Sequence, residues 1–259
     1  MVIYYENSNG EKINLLKAPY RTIDTDVFDS SWEESDNGFE KRIAIDVFGN
    51  RNEFKQNMEH IYSVIAVDSE KGVYGKLYVN DTYLRCNIVT SKKTGWKGFV
   101  YSEIELTFVA PELKWIQEVR KNFYPKSEIE VEGLNFPFNF PFNFSRESRG
   151  AEKWKIDHVV PSDFQMIIFG PCDNPKIFIN GHPYEMFCSL LENEYLVIDS
   201  KQGTITKYGA NGIASNAFDE RGFEYSVFEK IPSGTLSITW PGSFGFELIL
   251  FVVRREPLW

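Results

Sequence analysis

Lys176-Ile177-Phe178-Ile179-Asn180-Gly181 is the stretch on which the fold turns. A short β-prone run leads into Asn-Gly, the dipeptide that most readily takes the left-handed backbone of a two-residue hairpin turn. The pattern repeats outward from it. Phe164–Phe169 reads as an apolar strand; Tyr195–Asp199, Thr204–Tyr208, Thr235–Trp240 and Phe246–Val253 follow, each bounded by Gly, Pro, Asn or Ser. Short strands at regular spacing, with no helix between them, predict an antiparallel sandwich. A segment of ~120 residues is long enough for one such core.

The first half reads differently. Phe54, Met58, Ile61, Tyr62 and Ile65 recur at helical spacing. Asn50 followed by Glu53 is a start signal, because a short polar side chain and an acid three residues later satisfy free amides; Asp68–Gly72 ends the helix. Strands are expected around it. Ile43, Ile45 and Val47 alternate through Arg42–Phe48, and 76–79 and 82–84 flank a tight turn at Asn80-Asp81. Segments 87–90 and 99–109 flank a basic tip, Ser91–Gly98, with Lys92, Lys93 and Lys97 around Trp96.

Between the halves lies Asn135-Phe136-Pro137-Phe138, repeated at once as Asn139-Phe140-Pro141-Phe142. Each proline removes an amide donor and pushes its predecessor towards extended geometry, so this is a packed, extended connector. The domain boundary is therefore set near Gly133, giving domains 1–133 and 134–259.

Composition narrows the function classes. The chain has 259 residues, 28 Lys and Arg against 37 Asp and Glu, and a net charge of −9. That opposes affinity for phosphate backbones, which needs clustered cations. Twenty-two Phe, 13 Tyr and 6 Trp suit pleated, half-buried surfaces. Cys86, Cys172 and Cys188 fit no zinc spacing and read as buried thiols of a reducing compartment. No secretory signal is evident, and the apolar run Leu248–Val253 is far too short to span a bilayer, so synthesis and folding in a cytoplasm are expected.

Catalytic signals are weak. His60, His158 and His182 carry no HExxH or HxH pattern, and neither phosphate loop nor nucleophile elbow occurs. Glu185, Glu192, Glu194 and Asp199 could supply a glycosidase pair only if the fold held two of them across a sugar cleft, and Glu192-Asn193-Glu194 also reads as a solvated turn. Trp115, Trp154, Trp240 and Trp259 could form a sugar-stacking platform, although Trp in a β-rich chain is mostly core. The basic tip is the most unusual surface element. Besides a solvated hairpin end, it reads as an arm that docks on a neighbouring subunit, with Trp96 as anchor and the lysines meeting acidic partners.

The order of several further segments resembles the distal tail protein family of long, non-contractile-tailed phages. They are Gly170-Pro171-Cys172-Asp173-Asn174-Pro175-Lys176-Ile177, Glu194–Ser200, Ile231–Ile238 and the terminal Arg254-Arg255-Glu256-Pro257-Leu258-Trp259. Upstream, 13–15, 49–61, 75–79 and Phe108–Trp115 are similar to pieces of that family's first domain. The resemblance implies a mainly β, two-domain protein. Its first domain, β-rich with one helix, would form a hexameric ring that extends the tail tube; its second would be a galectin-like sandwich. His182-Pro183-Tyr184 and Trp240-Pro241-Gly242-Ser243 depart from the sugar-binding stretches of galectins, so the fold analogy implies no sugar activity. At 259 residues the chain has no room for the inserted carbohydrate-binding modules of some family members.

The expectation is thus a structural, non-enzymatic tail-tip hub of the virion, with no cofactor and no metal. Its partners would be copies of itself in a homohexamer, the tail tube protein, a tail-tip protein and receptor-binding proteins. DNA would pass through the ring without specific binding, and no membrane is involved. Lys92, Lys93, Trp96, Lys97 and Phe99 are the expected oligomer interface. The competing class is a carbohydrate-binding module for host cell-wall glycans.

Overall fold

The computed structural model describes residues 1–23, 25–29, 31–126, 150–158 and 160–259. The boundary expected near Gly133 and the Asn-Phe-Pro-Phe repeat lie outside the described residues. The chain divides into two compact units, Met1–Gln117 with Val253–Trp259, and Glu118–Val252. It is mainly β, with one α-helix among the described residues.

In the first unit the strands are β1 (Ile3–Glu6), β2 (Lys12–Asn14), β3 (Tyr20–Thr22), β4 (Glu33–Ser35) and β5 (Gly38–Phe48). Helix α1 (Arg51–Lys71) follows, then β6 (Gly75–Val79), β7 (Thr82–Lys97), β8 (Tyr101–Ala110) and β9 (Trp115–Phe123), which continues into the second unit. One ladder runs β2–β1–β6–β7, and the start of β7 also pairs with the start of β9. The outer part of β7 pairs instead with β8, which pairs with β5, itself edged by β3 and β4. Register shifts between Ile88 and Thr90 and between Lys93 and Gly95 mark β-bulges that bend this shared strand.

Helix α1 forms as expected. Asn50 accepts from the amides of Asn52 and Glu53 while Glu53 accepts from Asn50, and Gly72 ends the helix in a left-handed turn. Phe54, Met58, Ile61 and Val64 enter the core with Ile43, Ile45, Leu77 and Phe108. Tyr62 does not; it is exposed. Buried Asp68 fixes the helix end, accepting from the Tyr5 hydroxyl at 2.5 Å and the Ser8 amide at 2.8 Å.

The second unit holds β10 (Gly150–Ile156), β11 (Asp163–Phe169), β12 (Cys172–Asp173), β13 (Lys176–Ile179), β14 (His182–Glu185) and β15 (Ser189–Leu190). After them come β16 (Tyr195–Asp199), β17 (Thr204–Tyr208), β18 (Ala214–Asn216), β19 (Gly234–Trp240) and β20 (Phe246–Arg254), which returns to the first unit. One sheet runs β18–β17–β16–β11–β20 and the other β10–β19–β13–β14, all antiparallel. Alternate residues of both, among them Phe164, Met166, Leu196, Ile198, Leu236 and Ile238, share one core. Asn180 and Gly181 both take positive φ in the turn joining β13 to β14.

Trp240 is 2% exposed, stands 5.7 Å from Phe123 and 5.5 Å from Phe246, and donates its indole N–H to the Phe244 carbonyl at 3.0 Å. Gly150 leaves it room, because a Cβ there would lie 2.3 Å from the indole. Trp240→Ala is expected to lower stability by about 3–5 kcal/mol, read as an earlier denaturant midpoint.

Candidate interaction surface

The hairpin of β7 and β8 carries the residues singled out in the sequence, but its tip is elsewhere. Lys92, Lys93, Trp96 and Lys97 lie on β7 itself, and the turn is Gly98-Phe99-Val100, with Gly98 at φ +59°. The expected loop at 91–98 is strand because the ladder closes over it. Ser102 donates to the Gly95 carbonyl at 3.0 Å, and Thr94 to Glu103 at 2.9 Å.

This hairpin end is anchored on the start of α1. The Gly49 amide, just before the helix, donates to the Val100 carbonyl at 3.1 Å. Trp96 meets Phe54 edge-on at 5.3 Å and Phe99 at 6.2 Å. The Arg51 guanidinium sits 5.3 Å from the Phe99 ring centroid, and Lys93 Nζ 4.6 Å from that of Tyr62. Even so, Trp96 stays 51% and Phe99 59% exposed. A cleft of about 410 Å³ opens between hairpin and helix, floored by Phe54, Met58, Tyr62, Trp96 and Phe99. Lys92, Lys93 and Lys97 are exposed, and none forms an ion pair among the described residues. Exposed large aromatics with an arginine beside them have the composition of an interface centre, and the flanking charged side chains that of its polar rim. The sequence reading missed Arg51 and Tyr62 as members of this surface. Their signal was position on the helix, since each falls beside the buried stripe rather than on it.

Asp46 braces the base of the hairpin. It is buried on β5 and accepts from the Tyr101 hydroxyl at 2.5 Å and from Arg21 at 3.1 Å. That hydrogen bond, helped by burial, pushes the Tyr101 phenol up to about 12.

Other candidates are dispersed or built into the structure. His60 bonds the Lys12 carbonyl at 3.0 Å and His182 the Ser226 carbonyl at 2.9 Å, while His158 contacts Val160 and Ser162. No group of three potential metal ligands exists among the described residues. Glu185 pairs with Lys176, Glu194 with Lys207, and Asp199 accepts the Gln202 amide. The tryptophan platform does not form: Trp115 is 4% and Trp240 2% exposed, and Trp154 packs against the core. Burial pushes the Cys172 and Cys188 thiols up to about 11, away from the reactive thiolate at neutral pH. No described helix is long and apolar enough to cross a membrane.

No protein-family model matches the sequence, and no curated protein does. Solved structures match from end to end. A chain of the phage P2 baseplate, in its activated conformation with calcium, has a TM-score of 0.61 at 14% identity, over 98% of this chain and 99% of that one. A chain of the strontium form has 0.61 at 13%, over 100% and 99%. The SPP1 Dit protein, described as a paradigm of the hub adsorption apparatus of phages that infect Gram-positive bacteria, has 0.53 at 8%, over 96% and 97%. The chain shares its fold with phage baseplate and Dit hub proteins. Identities this low establish the shared hub fold and leave its chemistry to be argued from this chain's own surface.

Asp46→Asn should let the Tyr101 phenol titrate nearer 10, read from tyrosinate absorbance against pH. The sign follows from linkage. A phenol raised in the folded state contributes stability that is full below about pH 10 and is lost as pH rises through about 12, so the variant should lose part of that alkaline slope.

Proposed function

We propose that this protein is a structural subunit of a phage tail tip, without enzymatic activity, built to assemble rather than to turn over a substrate. In this reading six copies close into a ring that joins the tail tube to the tail-tip and host-adsorption proteins, in the virion and not at a membrane. The observation that carries it is fold likeness over nearly the whole length of both chains to baseplate and hub proteins. The exposed aromatic and basic hairpin end supports it, having the makings of a contact surface. A net charge of −9 fits a ring through which DNA slides without being held. The glycan-binding alternative has lost the tryptophan platform that motivated it, because two of its four rings are core.

Light scattering on the purified protein tests the proposal. A mass near six times 30.1 kDa is the expected result, and a monomer at every concentration and salt would count against the ring. Trp96→Ala should weaken assembly while leaving the fold intact, since a half-exposed ring contributes more to a contact than to the core. Normal hexamers in that variant would remove the hairpin from the interface.

A further inference from the structure

The ladder of β5 and β8 has two chemically opposite ends. Phe48 faces Tyr101 at one end, and Phe39 faces Ala110 at the other, about 30 Å away at ~3.3 Å per residue. The first end is basic and aromatic. It gathers Lys93, Lys97 and Arg51 around Trp96 and Phe99, because the hairpin turn and the start of α1 meet there. The second end is acidic. Glu33, Glu34 and Asp36 are exposed on the β4–β5 hairpin and form no ion pair among the described residues. Beside them a cleft of about 230 Å³ adds Asp29 and Glu40. Two cations share that cleft. Lys41 is buried and donates to the Asp29 carbonyl, so Arg42 is the exposed one, and the balance stays negative. Phe28, next to Asp29 in the preceding loop, is partly exposed beside the Trp259 ring, 6.2 Å away.

We infer that the basic, aromatic end of this ladder in one copy docks on the acidic end of the next copy, Lys93 and Lys97 facing Glu33, Glu34 and Asp36. Trp96 and Phe99 then pack against Phe28. This rests on the ring reading and specifies its contact. Two different patches on one unit make a heterologous interface, the type that closes rings by rotation. A second copy is the occupant because each end supplies what the other lacks. Among the described residues Lys92, Lys93 and Lys97 form no ion pair with a carboxylate, and Glu33, Glu34 and Asp36 form none with a cation. A chain of net charge −9 repels its copies at long range, so association needs a local complement of this kind. Long-range repulsion and local attraction are screened differently, so the contact is sensitive to ionic strength.

The test combines isotope-mixed cross-linking with charge exchange, using the full chain. Unlabelled and 15N-labelled protein are mixed and treated with a zero-length carbodiimide, which joins amines to carboxylates in contact. Mixed-isotope peptides linking Lys92, Lys93 or Lys97 to Glu33, Glu34 or Asp36 are expected. Lys93→Glu with Lys97→Glu should weaken self-association ~10-fold or more, and Glu33→Lys with Glu34→Lys should do the same. All four in one chain should restore it, since opposite charges again face each other. All these side chains are exposed, so the variants retain the fold, checked by circular dichroism. A ring-sized assembly whose cross-links lie elsewhere, or no rescue in the fourfold variant, overturns this pairing and leaves the ring standing. A wild type that stays monomeric and yields no mixed-isotope links overturns both.

Discussion

Backbone hydrogen bonding along one strand, Thr82–Lys97, is the constraint on which the first unit depends. Its opening residues complete the ladder with β6 and β9, and its outer residues support β8 and, through it, β5. A strand cannot serve two partners on one edge without bending, and the two bulges are where it bends. Everything that makes the hairpin end distinctive follows from this. The bend carries the end to the helix start, where Trp96 can rest on Phe54 without being swallowed by the core.

Charge in this unit is distributed by topology rather than by composition. The hairpin turn and the helix N-terminus sit at one end of β5 because the chain passes directly from β5 through Asn50 into α1. The acidic hairpin sits at the other end because β4 folds straight back into β5. A strand of eleven residues thus separates the two charge clusters without any long-range design beyond the order of elements. The same economy is visible in the second unit, where Glu185 and Glu194 hold strands and a turn together through Lys176 and Lys207.

What could be read in the sequence was local. Asn180-Gly181 dictates its turn through backbone conformations that few other residues tolerate, and Asn50 with Glu53 announces a helix through the amides they satisfy. The sandwich strands were legible because alternation and turn residues recur at short range. Pairings between distant segments were not. Nothing near Lys92 or Trp96 in sequence reveals that strand continues through them; that depends on Ser102 and Glu103 across the ladder. Tyr62 looked like core because it lies beside the apolar stripe, and only the angle of the helix on its strands decides that it faces outward. The hairpin residues were named from composition alone. The helix residues Arg51 and Tyr62, which complete that surface, needed the fold. Trp240 was ambiguous until its indole was seen bonded to Phe244 inside the core.

The path of the chain also sets a timetable for synthesis. The second unit, 118–252, is made in one uninterrupted stretch, whereas the first waits for its last piece, Val253–Trp259. That piece is no ornament. Arg254 bonds Gln117 at 2.9 Å, the Leu258 carbonyl accepts from Asn80 at 2.7 Å, and the Leu258 amide donates to Thr82 at 3.3 Å. On a ribosome the sandwich has all its residues before the first unit can close its edge, the reverse of the usual N-terminal-first order. The segment 253–259 therefore joins Asn80, Thr82 and Gln117 only after the whole of 118–252 has been made.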